Sequence, residues 1–212
     1  MNPRVLIALV VLGAFALGAV VLVAARGGDE EDPSAGALEF EGAELPEGVR
    51  VPQFELRDQD GEIVRTEELD GPAIVTFLYT HCEESCPPQA QQIKGALVEL
   101  EEDVPALAIA LEPERDTPES AREFLSKQGM AGKMDFVLGS RGELERVWCG
   151  FAILPQIDEP LHCGGRVVRP GPGGEHQARI LLVDDGYQRV GYPLEQATPE
   201  RIAHDVRVLR DD

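Results

Sequence analysis

GPAIVTFLYTHCEESCP, residues 71–87, is the most informative segment of this 212-residue chain. Gly71-Pro72 interrupts whatever precedes it. Ala73 to Tyr79 then runs apolar except for Thr76, and its β-branched and aromatic side chains predict a strand buried on both faces. A strand of that kind sits centrally in a sheet. Beyond it, Ile93, Leu97 and Leu100 fall at helical spacing within Pro87 to Leu100, and Val104 to Leu111 (VPALAIAL) is again strand-like. The order strand, helix, strand is a β-α-β unit.

Working outward, Thr117-Pro118-Glu119 supplies an N-cap and an N1 proline for a helix ending near Gln128, before Gly129. Phe136 to Leu138 reads as a short strand, Arg141 to Val147 as a short helix, and Ala178 to Val183 (ARILLV) as a strong strand. Asp185-Gly186 turns that strand toward Val190 to Tyr192 as an antiparallel pair, and Thr198-Pro199-Glu200 opens a last helix to about Leu209. Upstream, Phe54 and Leu56 are separated from Ile63 and Val64 by Asp58-Gln59-Asp60-Gly61, which predicts a hairpin. Strands alternating with helices, closed by a hairpin and a helix, predict a three-layer α/β domain without internal repeats.

The composition, 43% hydrophobic and 27% charged, fits one compact domain with some extra sequence. With 39 acidic against 19 basic residues the net charge is -20, which repels a phosphate backbone and excludes general nucleic-acid binding. Val5 to Ala25 is uncharged, and 21 helical residues span about 31 Å, the thickness of a bilayer core. Arg4 precedes this stretch, and the acidic run Asp29, Glu30, Glu31, Asp32 follows it, an order that favours an inside N-terminus. A cleaved signal peptide shares that order but has a shorter apolar region, of about 7 to 15 residues. The expected organisation is a membrane anchor over residues 1–26, an acidic tether over 27–48 and a domain over 49–212. The domain then lies outside the cytoplasm, on a single-pass membrane protein.

That location permits disulfides, and there are four cysteines, Cys82, Cys86, Cys149 and Cys163. Cys82 and Cys86 follow the buried strand where the next helix begins, and their spacing of four puts both sulfurs in one turn or on one helical face. A helix N-terminus favours the thiolate, which is both a nucleophile and a soft metal ligand. Thiol-disulfide exchange and binding of a soft cation are both open, and a plain disulfide would close only a short loop. A metal needs a further ligand. His81 in a continuing strand would point away from Cys82, His204 lies on the terminal helix, and His162 adjoins Cys163 in a loop. His176 stands just before the Ala178 to Val183 strand, after Gly171-Pro172-Gly173-Gly174, and can reach the turn carrying Cys82. Spacing alone equally allows a solvated histidine there; as a ligand set, two thiolates and an imidazole suit copper, whereas zinc would want a fourth protein ligand or an open water site. Cys149 and Cys163 are expected to form a disulfide around 13 intervening residues, a closure of about 3 kcal/mol, with an auxiliary metal site including His162 as the alternative.

Phe54 to Pro87 with T-F-x-Y-T-x-C-x-x-x-C-P at its end, LEPERDTPE at Leu111 to Glu119, and His176 ahead of ARILLVDDGYQRVGY together resemble the Sco/SenC family of thioredoxin-fold copper proteins. The resemblance covers roughly residues 40 to 210. It implies a thioredoxin-like domain with a central mixed sheet that binds copper, as Cu(I), Cu(II) or both, through Cys82, Cys86 and His176. It implies a membrane-tethered chaperone assisting assembly of the dinuclear copper centre of cytochrome c oxidase. The oxidase subunit carrying that centre would be the partner, with other copper chaperones or thiol reductases. A redox role of the Cys82 and Cys86 pair toward the cysteines of that centre is also implied. Asp116 matches a family acidic position near the metal. The competing function is a thiol-disulfide oxidoreductase or peroxidase-like thiol protein acting on extracytoplasmic cysteines without metal. The segment from Cys149 to Gly174 departs from the family pattern.

Overall fold

The computed structural model describes residues 39–155, 160–169 and 179–211. The apolar stretch from Val5 to Ala25 and the tether up to residue 38 lie outside the described residues, as does His176. Among the described residues no helix is long and apolar enough to cross a membrane. In chain order the elements are β1 (Ala43–Glu44), β2 (Glu55–Arg57), β3 (Ile63–Arg65), β4 (Ala73–Leu78), α1 (Cys86–Leu100), β5 (Ala106–Ala110) and α2 (Pro118–Gln128). There follow β6 (Asp135–Val137), α3 (Arg141–Gly150), β7 (Leu161–Cys163), β8 (Arg166–Val168), β9 (Arg179–Asp184), β10 (Tyr187–Pro193) and α4 (Pro199–Asp211).

The main sheet has the order β1-β10-β9-β4-β5-β6. β4, β5 and β6 are parallel, whereas β9 runs antiparallel to β4, β10 to β9 and β1 to β10, so the sheet is mixed. Every residue of β4 and β5 is buried, because helices cover both faces. On one face Thr76 meets Gln89 of α1, which packs with α2 and α4. On the other, Phe77 meets Phe151 edge-on at 5.3 Å, and the Trp148 indole of α3 donates to the Ala110 carbonyl at 2.9 Å. Helix, sheet and helix form three layers.

The caps explain where the helices begin. At α2 the Thr117 hydroxyl accepts the Ser120 N–H while the Ser120 hydroxyl accepts the Thr117 N–H, and Gly129 ends the helix at φ 67°. The β2–β3 hairpin joins the sheet edge through a bridge between Arg57 and Leu138. α3 outruns its expected end at Val147 to Gly150, which brings Trp148 into the core.

Two segments differ from expectation. The tether expected to reach residue 48 gives way earlier, since β1 pairs with β10 and the Leu45 N–H donates to the Arg189 carbonyl at 2.8 Å. The fully buried Asp205 carboxylate of α4 accepts the N–H groups of Glu41 at 2.8 Å and Gly42 at 2.9 Å, and also the Tyr192 hydroxyl. A side chain at Gly42 would collide with Val190 and Tyr192, so glycine is needed there. These are backbone attachments and leave no hydrophobic period to read. The second difference is the hairpin β7–β8 inside the proline- and glycine-rich segment. Its turn, Gly164-Gly165, takes positive φ at both positions, the geometry a two-residue hairpin needs.

Candidate metal centre

β4 ends at Leu78, and the chain turns so that the Cys82 N–H donates to the Tyr79 carbonyl at 3.2 Å before α1 starts at Cys86. The N-cap residue of α1, Ser85, makes no side-chain cap bond, and Pro87 and Pro88 remove two of the donors a helix leaves unpaired at its start. The Cys86 N–H is satisfied by the Cys82 sulfur at 3.1 Å. Cys82 therefore serves as the acceptor at the head of α1, and its Sγ also lies 3.4 Å from the Ser85 hydroxyl. Both cysteines are buried and neither is in a disulfide.

This arrangement separates two identical side chains. Cys82 is lowered to about 4, foremost because the Cys86 thiol donates to it, against the cost of burial, with further donation from the Ser85 hydroxyl, the Cys86 N–H and the Tyr79 hydroxyl. Cys86 is pushed strongly up, because its proton is held by Cys82 and because it is buried. At neutral pH the pair is one thiolate and one thiol. A thiolate can attack a disulfide or bind a soft cation; the neighbouring thiol supplies the second sulfur once it loses its proton.

Asp116 is only 6% exposed. Its Oδ1 accepts the Thr80 N–H at 2.8 Å and the Thr80 hydroxyl at 2.9 Å, and its Oδ2 accepts the Glu112 N–H at 2.9 Å. Burial pushes its pKa up, and these donors oppose the shift. Asp116 thus locks the loop after β4 to the loop after β5, one residue from His81, whose Nδ1 lies 3.0 Å from the Thr80 hydroxyl. Along α2 runs a groove of about 630 Å³ whose wall includes Thr80, His81, Cys82, Phe124 and Lys127. Cys86 is not on that wall.

Cys82 and Cys86 are together, and Asp116 reaches the same loop through Thr80. His176 lies outside the described residues. Three positions after it, the Arg179 carbonyl that begins β9 accepts from Thr76 Oγ1 at 3.1 Å and Gln89 Nε2 at 3.0 Å, which ties β9 to β4 and to the first turns of α1. Exposed His162 donates its backbone N–H to Glu145, and His204 Nδ1 lies 2.9 Å from Asp205 Oδ1. Among the described residues no three His, Cys, Asp or Glu side chains converge as a metal site. Cys149 and Cys163 are joined in a disulfide that ties α3 to β7. Sequence reasoning missed the roles of Ser85 and Tyr79; the Tyr79-Thr80 pair was visible in the motif, but a strand ending one residue earlier was needed to turn its groups toward Cys82.

A family model described as SCO1/SenC matches residues 43–210. The chain belongs to the SCO1/SenC family. A protein of Stutzerimonas stutzeri that carries the name of a copper-binding protein is 30% identical over 161 residues, 69% of this chain and 77% of that one. Other curated Sco relatives are matched over 26 to 55% of their own length. The structure of Bradyrhizobium japonicum ScoI with copper bound is 28% identical, with a TM-score of 0.59, covering 74% of this chain and 97% of that one. A further solved Sco protein, described by a disulfide switch and as a member of the Sco family of cytochrome c oxidase assembly proteins, is 24% identical with a TM-score of 0.58. It covers 76% of this chain and 92% of its own, and shares the fold. The thioredoxin-like fold with its central mixed sheet is the fold of these Sco structures.

Proposed function

We propose that this Sco-family chain is a membrane-tethered, extracytoplasmic copper chaperone that holds its cargo through Cys82, Cys86 and His176. Its recipient would be the cytochrome c oxidase subunit with the dinuclear copper centre, and copper chaperones or thiol reductases would be further partners. The observation that carries the reading is the prepared sulfur pair, with the Cys86 N–H 3.1 Å from a Cys82 sulfur lowered to about 4. Cu(I) arriving at this pair needs to displace only one proton, that of Cys86, to gain two thiolates. An imidazole from His176 would complete a trigonal set. The copper named for the Stutzerimonas relative and bound in the Bradyrhizobium structure supports the cargo, and the oxidase is named for the 24% identical neighbour. Membrane tethering rests on the uncharged Val5 to Ala25 and its flanking charges.

The same asymmetry favours a second reading, disulfide reduction without metal. Cys82 as thiolate would attack a partner disulfide and release one partner thiolate. Cys86, after losing its proton, would attack Cys82, freeing the second partner thiol and leaving the Cys82–Cys86 disulfide, with two electrons passed to the partner. Copper analysis of the anaerobically reduced protein separates the readings. One copper per chain, lost in Cys82→Ser or Cys86→Ser, supports the chaperone; reduced protein that takes up none while reducing a disulfide supports the second.

A further inference from the structure

We infer that His81 is a gateway ligand for Cu(I): its Nε2 and the Cys82 thiolate receive the ion at the groove before Cys86 takes over. The inference rests on the copper reading above. A chain of hydrogen bonds fixes the tautomer of His81. Both oxygens of Asp116 face backbone N–H groups, those of Thr80 and Glu112, so the carboxylate is an acceptor on both sides. The Thr80 hydroxyl, 2.9 Å from Oδ1, must then donate its only proton to Asp116. What remains on Thr80 Oγ1 is a lone pair, and the His81 Nδ1 at 3.0 Å must bring the hydrogen to it. A neutral imidazole has one N–H, so Nε2 carries the free lone pair. Metal-binding histidines are prepared in this way, with the second nitrogen held by an outer acceptor that sets tautomer and ring orientation.

Sequence periodicity set His81 aside because alternate residues of a strand point to opposite faces. The structure removes that objection: β4 stops at Leu78, the Cys82 N–H closes a turn onto the Tyr79 carbonyl, and His81 and Cys82 both line the groove along α2. Cys86, fully buried and off that wall, cannot be the first sulfur a partner reaches. Cu(I) accepts a thiolate and an imidazole as a two-ligand pair. The proposed step is ligand exchange without electron transfer. Cu(I) leaves its donor for Cys82 Sγ and His81 Nε2; Cys86 then gives its proton to solvent, and its thiolate displaces the imidazole. Thr80 is the positioning residue that keeps Nε2 available.

The test uses the full chain in detergent, reduced anaerobically, with Cu(I) supplied as its bathocuproine disulfonate complex. His81→Ala is expected to slow copper transfer on the order of tenfold while leaving equilibrium affinity unchanged. Thr80→Val is expected to slow it in the same direction, Thr80→Ser to restore it, and His162→Ala to leave it unchanged. Freeze-quenched X-ray absorption of His176→Ala, which keeps both cysteines, taken early in the transfer and before Cys86 joins, is expected to report one sulfur and one nitrogen, the nitrogen disappearing when His81→Ala is added. An unchanged transfer rate in His81→Ala overturns the inference, and so does a parallel fall in equilibrium affinity, which would make His81 a resident ligand. Copper retained by both Cys82→Ser and Cys86→Ser would instead sink the underlying copper reading, whatever His81→Ala does.

Discussion

The two cysteine pairs of this chain contrast in every respect that governs sulfur chemistry. Cys82 and Cys86 stand four residues apart at the head of a helix, unbonded, with one sulfur lowered to about 4 and the other pushed up. Cys149 and Cys163 are bonded across 14 positions, from the end of α3 to a three-residue strand. The first pair closes too short a loop to restrain the unfolded chain much, and its thiolate is stabilised by donors that a disulfide sulfur would not need. The second pair encloses a segment whose buried hydrophobic side chains, among the described residues, are Phe151, Ile153 and Leu161, and the bond holds β7 to the end of α3. Residue type is the same in both; donors leave one pair as unbonded, inequivalent sulfurs, and the other is joined in a disulfide that ties α3 to β7.

The largest effect that would break this contrast concerns copper. Cys82→Ser or Cys86→Ser should abolish Cu(I) binding, whereas Cys149→Ser/Cys163→Ser should leave copper stoichiometry intact. His176→Ala should weaken binding and alter the Cu(II) spectrum, because the two thiolates dominate the bonding and the imidazole completes the geometry. Anaerobic metal titration of each variant checks this. Copper lost on removing Cys149 and Cys163 would mean that the stapled pair belongs to the site.

The next effect is thermodynamic. Removing the Cys149–Cys163 disulfide should cost about 3 kcal/mol in denaturant unfolding, whereas Cys82→Ser, with no bond to lose, should cost less. Two pairs with equal costs would show that the hairpin is held by its own packing, Leu161 above all, and that the staple adds little.

How far the contrast was legible in sequence follows from the physics of each part. β4 and β5 announce themselves because burial on both faces demands unbroken apolar runs, and the capping signal at Thr117 and Pro118 marks the start of α2. The cysteine spacing at Cys82 and Cys86 likewise fixes which two sulfurs meet. What sequence could not supply is which sulfur keeps the proton, since that depends on Cys86 donating to Cys82 in a helix start that Ser85 leaves uncapped. β1 escaped because the chain leading into it is held by the Glu41 and Gly42 N–H groups on Asp205, which lies 164 and 163 positions away and reads as an ordinary helix carboxylate. The β7–β8 hairpin carried a Gly-Gly turn signal, but its strands of three residues are too short for alternation to register.

A subtler test is the pH profile of alkylation. Because Cys82 is lowered below an ordinary thiol, its thiolate persists as pH falls and is lost only through about 4. Iodoacetamide should therefore modify Cys82 in the reduced, metal-free protein at a nearly constant rate from neutral pH down to about 5, and more slowly below. In urea the rate should instead drop steadily below about 8.5, the ordinary cysteine value. Cys86, pushed up and fully buried, should react far more slowly throughout the folded-state profile. Equal labelling of the two by mass spectrometry would erase the asymmetry on which both functional readings depend.

The smallest expected effect isolates one donor. The Tyr79 hydroxyl contributes least among the groups that lower Cys82, behind the Cys86 thiol, the Ser85 hydroxyl and the Cys86 N–H. Tyr79 is itself pushed up, first by burial and then by this bond, so it stays protonated and able to donate across the accessible pH range. Tyr79→Phe keeps the ring and removes only the hydroxyl. It should raise the midpoint of Cys82 alkylation slightly, and Ser85→Ala should raise it more. The direction follows from stabilisation of the charged form: each lost donor makes the thiolate less favourable, so the reactive form disappears at a higher pH. A midpoint that fails to move in Tyr79→Phe while moving in Ser85→Ala would assign the tuning to the helix-start loop alone, with the end of β4 serving only to bring the chain there.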